Sequence, residues 1–310
     1  MIDQAVHSAD TPGTVARLRR DLARGDAAAA AAVPVLRYLV AAEESALLGE
    51  EIVTRVRAML SDLAAQLLDA LIGEADRRAH APDEIAVLTR AFLDDPLLLG
   101  HVHALALEWQ LTERLQERLA LDPVASPLVL ARIAAGDASA RGFLAAQARW
   151  SQAQRRMALP IAELPAEVLE AVLAILRTLA GAEPALADRV NAVEAAARSL
   201  HGETENRLAQ AQALVREAGD RSPIVAEDGA ALFLTRLAMA SGQTREAATL
   251  ATQPGQQARL VLGLQAAGAS AGVVEEQILA LHPGAAAPQG LAGGDAVQAA
   301  AILSGEGLAG

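Results

Sequence analysis

The sequence predicts an all-α protein, with antiparallel helix pairs set in an irregular HEAT/TPR-like repeat array or an orthogonal bundle. Three observations carry this expectation. Hydrophobic residues make up 53% of the 310-residue chain but aromatics only 2%. Ala and Leu, strong helix formers, therefore supply much of the apolar content, and β-favouring aromatics are nearly missing. Apolar positions recur at helical spacing with almost no strand-like alternation. Asp, Pro and Gly stand where helices start and stop.

Taken in order, Gly25-Asp26 is expected to end a first helix and to cap a second. Asp94-Asp95-Pro96 places an acidic cap before Pro at the first helical position, and Asp122-Pro123 repeats the device. Gly136-Asp137 opens a helix running toward Met157. Pro160 and Pro165 bracket a turn holding Glu163, ahead of the apolar helix Val168 to Leu179. From Pro184 to Ala218, Leu186, Val190, Val193, Ala197 and Leu200 form an a/d-like seam before His201-Gly202. Leu208, Ala211 and Val215 then line a second helix, so the stretch reads as a helical hairpin and a possible homodimer seam.

Helix-pair starts fall near residues 13, 47, 83, 122, 165, 204, 243 and 270, roughly the 35 to 45 residue spacing of HEAT-like repeats. Gly219 to Pro223 marks the expected boundary between an N-terminal domain, 1–220, and a smaller helical unit, 221–282. Residues 283–310, rich in Gly, Ala and Pro, are expected to be loosely ordered apart from a helix near Asp295 to Leu303.

Composition also excludes functions. The net charge is −12, and there is no basic stripe with interleaved aromatics, so nucleic acid is a poor partner. Every basic residue besides His is Arg, and Cys is absent. That removes the P-loop lysine, Schiff-base chemistry, thiol nucleophiles, thiolate metal sites and disulfides. The stretch Met1 to Gly13 lacks a basic leader and an apolar core, and Arg37 and Arg177 interrupt the best apolar runs. A cytoplasmic protein with no membrane span is the expectation.

His101 and His103 invite a metal reading, but residues two apart on a helix point about 200° apart, and the i+4 positions are Leu105 and Leu107. Glu108 shares the His101 face but lies about 10.5 Å along the axis. No metal site and no cofactor are expected. A phosphoacceptor histidine is the enzymatic alternative, and no nucleotide-binding signature accompanies it. The acidic doublets Glu43-Glu44, Glu50-Glu51, Asp94-Asp95, Glu227-Asp228 and Glu275-Glu276 read as solvated faces or caps. The pairs Glu51–Arg55, Glu74–Arg78 and Glu203–Arg207 read as surface support at helical spacing. No Glu-x-x-His or His-Glu-x-x-His occurs.

The segment from Gln147 to Arg156 is the densest polar cluster containing an aromatic. On a helix, Arg149, Gln152 and Arg156 share one face while Trp150 turns to another. That face is suited to holding an acidic peptide of another protein, or phosphate, through the Arg forks, with Trp150 anchoring the helix. The competing reading is a solvated Arg/Gln face neutralised by Glu163 or Glu167.

The same segment, continued through Met157, Leu159-Pro160 and Glu163-Leu164-Pro165, resembles the bacterial family termed domain of unknown function 2336. Phe233 to Met239 and Arg259 to Ala267 are similar to it as well. The resemblance covers about a third of the chain and implies an all-helical, HEAT-like protein; it carries no catalytic residues. Together these readings lead to the expectation of a helical scaffold for protein–protein interaction.

Overall fold

A computed structural model describes residues 11–41, 50–72, 82–180, 186–203, 206–284 and 295–305. The N-terminal stretch through Asp10, Glu43-Glu44, the pair start near residue 47, Glu74 with Arg78, Pro184 and most of the 283–310 tail lie outside the described residues.

The protein is all-α, with fourteen α-helices and no strand among the described residues. They are α1 (Thr11–Ala41), α2 (Glu50–Ile72), α3 (Pro82–Leu93), α4 (Pro96–Leu119), α5 (Pro127–Ala134), α6 (Ala138–Arg155) and α7 (Ala166–Ala180). There follow α8 (Ala187–Glu203), α9 (Arg207–Glu217), α10 (Val225–Ser241), α11 (Arg245–Ala251), α12 (Gln257–Ala266), α13 (Ala271–Leu281) and α14 (Ala296–Ser304). A short 3-10 turn, Ile161–Glu163, precedes α7.

Several starts follow the sequence. Asp95 accepts the Leu98 N–H at 2.8 Å, with Pro96 opening α4. Asp137 accepts from Ser139 and Ala140 to open α6, and Asp295 accepts from Val297 to open α14. Each carboxylate satisfies an N–H that has no partner within its own helix.

Two breaks are corrected. Gly25-Asp26 ends nothing, because α1 continues through it and through Pro34. The glycine serves close packing instead: a Cβ there would lie 2.7 Å from the Gln256 Oε1, and Gln256 Nε2 donates to the Gly25 carbonyl at 2.7 Å. Asp26 pairs with Arg259 on the same side. Asp122-Pro123 does not open a helix either. Asp122 accepts from Val124 and Ala125 in a local turn, and Ser126 caps α5 ahead of Pro127.

The expected 184–218 hairpin is also corrected. Instead of closing on each other, α8 packs on α7 and α2, and α9 packs on α6 and α10. Val190, Val193 and Ala197 of the seam are buried in the largest core, which α1 to α4, α7 and α8 build together, while Leu200 is 50% exposed.

A second core joins α4 to α10, α11, α12 and α13, and a third joins α5, α6, α9 and α10. Packing therefore crosses the Gly219 to Pro223 segment. Long α4 touches α1, α2, α3, α7, α10 and α11, and α1 reaches α12. These sequence-distant contacts differ from the neighbour-only packing of a solenoid.

Candidate functional site

The inner face of α6 is a helical stripe of Gln147, Trp150, Ser151 and Gln154, all buried. Trp150 is 1% exposed, meets Trp109 of α4 edge-on at 5.7 Å, and lies 4.0 Å beneath the Arg207 guanidinium. Arg55 of α2 sits 5.6 Å from the Trp109 ring and donates to the Gln154 carbonyl at 2.7 Å. Its pair with Glu51 forms as expected at 3.3 Å, yet the guanidinium is buried and is more than surface support.

At the centre stands Glu108 of α4, fully buried. Arg207 donates to its two oxygens at 2.8 and 3.1 Å, and Arg245 at the start of α11 donates to the same two at 2.9 and 2.8 Å. Gln147 accepts a further bond from Arg207 at 3.1 Å. Burial by itself would raise the Glu108 pKa, but the two guanidiniums outweigh it and hold the carboxyl at about 2. Four helices, α4, α6, α9 and α11, are thereby fixed around one charge.

The turn before α7 adds Glu163, which is buried. Burial raises its pKa, and Arg207 and Arg149 offset this only in part. Asn206 donates to the Glu163 carbonyl at 3.1 Å and caps α9, so the turn and α9 are held together.

Arg149, Gln152 and Arg156 are exposed on the outer side, together with Arg155. Helix α6 stops at Arg155, and Arg156 occupies its C-terminal cap. None of these side chains makes an ion pair or hydrogen bond among the described residues; Arg149 feels the buried Glu163 beneath it, whereas Glu167 is exposed on the next helix. The structure separates the four residues singled out from sequence: three stand in solvent, and Trp150 belongs to the interior network.

His101 is 3% exposed, with Nδ1 3.5 Å from the Glu246 carboxylate. That contact is the leading reason the Glu246 pKa falls to about 2. His103 is partly buried, and burial lowers its pKa. No cluster of three His or acidic side chains able to hold a metal occurs among the described residues.

Sequence reading missed Glu108, Arg207 and Arg245 as a unit. One signal was present: Glu108 is the one carboxylate between Asp95 and Glu113, in a stretch dominated by Leu, Val and Ala, and a carboxylate so placed needs a partner. Nothing local names that partner. Grooves of about 460 Å3 between α1, α2 and α3 and of about 500 Å3 between α6 and α9 lie elsewhere, and no member of the Glu108 network lines either.

No protein family matches the chain, and neither a curated protein nor a solved structure matches it. No helix among the described residues is long and apolar enough to cross a membrane.

Proposed function

We propose that this chain is a non-enzymatic helical scaffold of the cytoplasm that binds another protein through an acidic segment laid along Arg149, Gln152 and Arg156. One observation carries the reading: α6 is pinned from within by Trp150, Gln147 and Gln154 while its outer side offers guanidiniums with no ion pair among the described residues. A fixed helix presents these cations without the ordering penalty of a mobile loop. In a chain of net charge −12, such a face favours carboxylates over phosphate polymers.

A helical phosphotransfer enzyme would place its reacting group at His101 or His103, and no observation favours it. His101 is enclosed against Glu246, and His103 has no acid or base partner among the described residues.

The test is affinity capture from cytoplasmic extract with the tagged chain and its Arg149→Ala, Arg156→Ala variant. Wild type retains a protein that the variant loses, and both melt at the same temperature because exposed substitutions move stability by only about 0.5 kcal/mol. Identical captured sets would remove this face as the binding site.

A further inference from the structure

Two arginines and a histidine meet where α4 and α13 end, and no carboxylate pairs with them among the described residues. Arg114 and Arg118 stand at i and i+4 on α4 and share a face. His282 caps the C-terminus of α13 and is only 8% exposed. Leu111 and Leu115 of α4 share a core with Ile278 and Leu281 of α13, which draws the two ends together. The closeness is felt as charge: burial first, then Arg114 and Arg118, lower the His282 pKa, and burial, then Arg118, lower that of Arg114.

The inward donors of this group are unanswered. Nε and Nη2 of Arg114 and Nε2 of His282 are buried with no hydrogen-bond partner. Glu113, the neighbour of Arg114 in sequence, interacts with Arg55, Glu51 and Glu117 instead. Arg118, in the last turn of α4, is accounted for by the negative end of the helix dipole. Arg114 is not, since it lies a turn earlier and holds two N–H groups away from water. A histidine escapes the cost of burial by staying neutral, but a guanidinium keeps its charge and calls for an anion. The chain has 38 acidic residues against 26 basic ones, and the buried Arg55, Arg207 and Arg236 each have a carboxylate partner. Arg114 departs from that pattern.

We propose that Arg114, Arg118 and His282 form a binding site for a small phosphate, as the free ion or a monoester, at the junction of α4 and α13. Two permanent cations are matched by a dianion, and a phosphate monoester carries roughly −1.5 to −2 charges near neutral pH, where a carboxylate carries one. The guanidiniums grip its oxygens as forks, and His282 donates from Nε2. Exposed Arg118 stands on the solvent side of the site. The site shares no residue with the α6 face.

The test titrates inorganic phosphate, glycerol 2-phosphate and acetate into the full chain at constant ionic strength, balanced with chloride. Binding is read by calorimetry and by the NMR resonance of His282, identified by its loss in His282→Gln. Either phosphate moves that resonance and acetate does not; binding of inorganic phosphate alone assigns the free ion, and binding of glycerol 2-phosphate assigns a monoester. Arg114→Met, which keeps the apolar stem, weakens phosphate binding by roughly tenfold or more, the worth of a charge-assisted hydrogen bond. Without phosphate this variant melts no lower than wild type, because the uncompensated cation is gone. Arg118→Ala, at an exposed position, weakens binding as well. A His282 resonance indifferent to both phosphates would overturn the proposal, as would equal binding by wild type and Arg114→Met. Acetate binding as tightly as phosphate would assign a carboxylate and overturn it too. The Arg149→Ala, Arg156→Ala variant binds phosphate like wild type; loss of binding there with retention in Arg114→Met would move the phosphate to the α6 face, so failure here and failure of the α6 reading are distinguishable.

Discussion

Glu108 and Arg207, 99 residues apart in sequence, form a two-pronged ion pair in which both side chains are sealed from solvent. The same guanidinium covers the Trp150 ring, so one side chain joins α9 to α4 by charge and to α6 by its flat face. Arg245 approaches the carboxylate as a second fork from α11. A buried ion triad of this kind fixes geometry more surely than it adds stability, since desolvation offsets much of its attraction.

Glu108→Gln removes the anion and leaves two cations facing each other in the interior. The expected loss is about 3–5 kcal/mol of unfolding free energy, the range for breaking a buried pair by deleting one partner. Urea denaturation measures it. The triple replacement Glu108→Met, Arg207→Leu, Arg245→Leu should lose much less, because no charge is then left uncompensated. A single variant as stable as wild type would show that the network does not hold these helices.

The acid limb of stability follows from the same carboxylate. Its pKa is about 2 in the folded chain against an ordinary value of 4.5, so the native state binds fewer protons in that interval. The contribution is fully present above pH 4.5 and is lost as pH falls toward 2. Glu246, held at about 2 by His101, acts with the same sign, but its side chain is 43% exposed and solvent screening reduces its share. Melting temperature recorded from pH 7 to pH 2 should fall chiefly below 4.5, and the fall should be shallower in Glu108→Gln.

Gly229 interrupts α10 with φ 67° and ψ 175°, a conformation essentially confined to glycine. A Cβ at this position would also come within 3.0 Å of the Ser126 Cβ. Gly229→Ala is therefore expected to lose about 1–3 kcal/mol. The break turns Asp228 toward Arg236, Arg221 and the Ile224 N–H, so the variant should also loosen the α10 start, read as faster amide exchange at residues 224–228. Unaltered stability would mean that α10 does not require the break.

Local chemistry was readable where the signal lies within a few residues. Asp95-Pro96, Asp137 and Asp295 announce helix starts because a carboxylate and an unpaired N–H two or three positions on need nothing from the rest of the fold. Gly25-Asp26 misled because glycine disfavours a helix by only about 1 kcal/mol, less than the packing of α1 on α12 can supply. The outward Arg149, Gln152 and Arg156 face was likewise legible from 3.6-residue periodicity. That Trp150 lies beneath Arg207 was not.

By itself the sequence determined the all-α class: with aromatics at 2% and almost no strand-like alternation, helices are the structures that both satisfy the backbone and bury an apolar stripe. Only the tertiary structure decided which helices meet. The Glu108 partners lie 99 and 137 residues away, and Ala and Leu faces are too alike to select one neighbour over another. A buried charge is selective where those faces are not, because leaving a carboxylate unpaired in the interior carries a large penalty in every arrangement except the one that brings Arg207 and Arg245 to it.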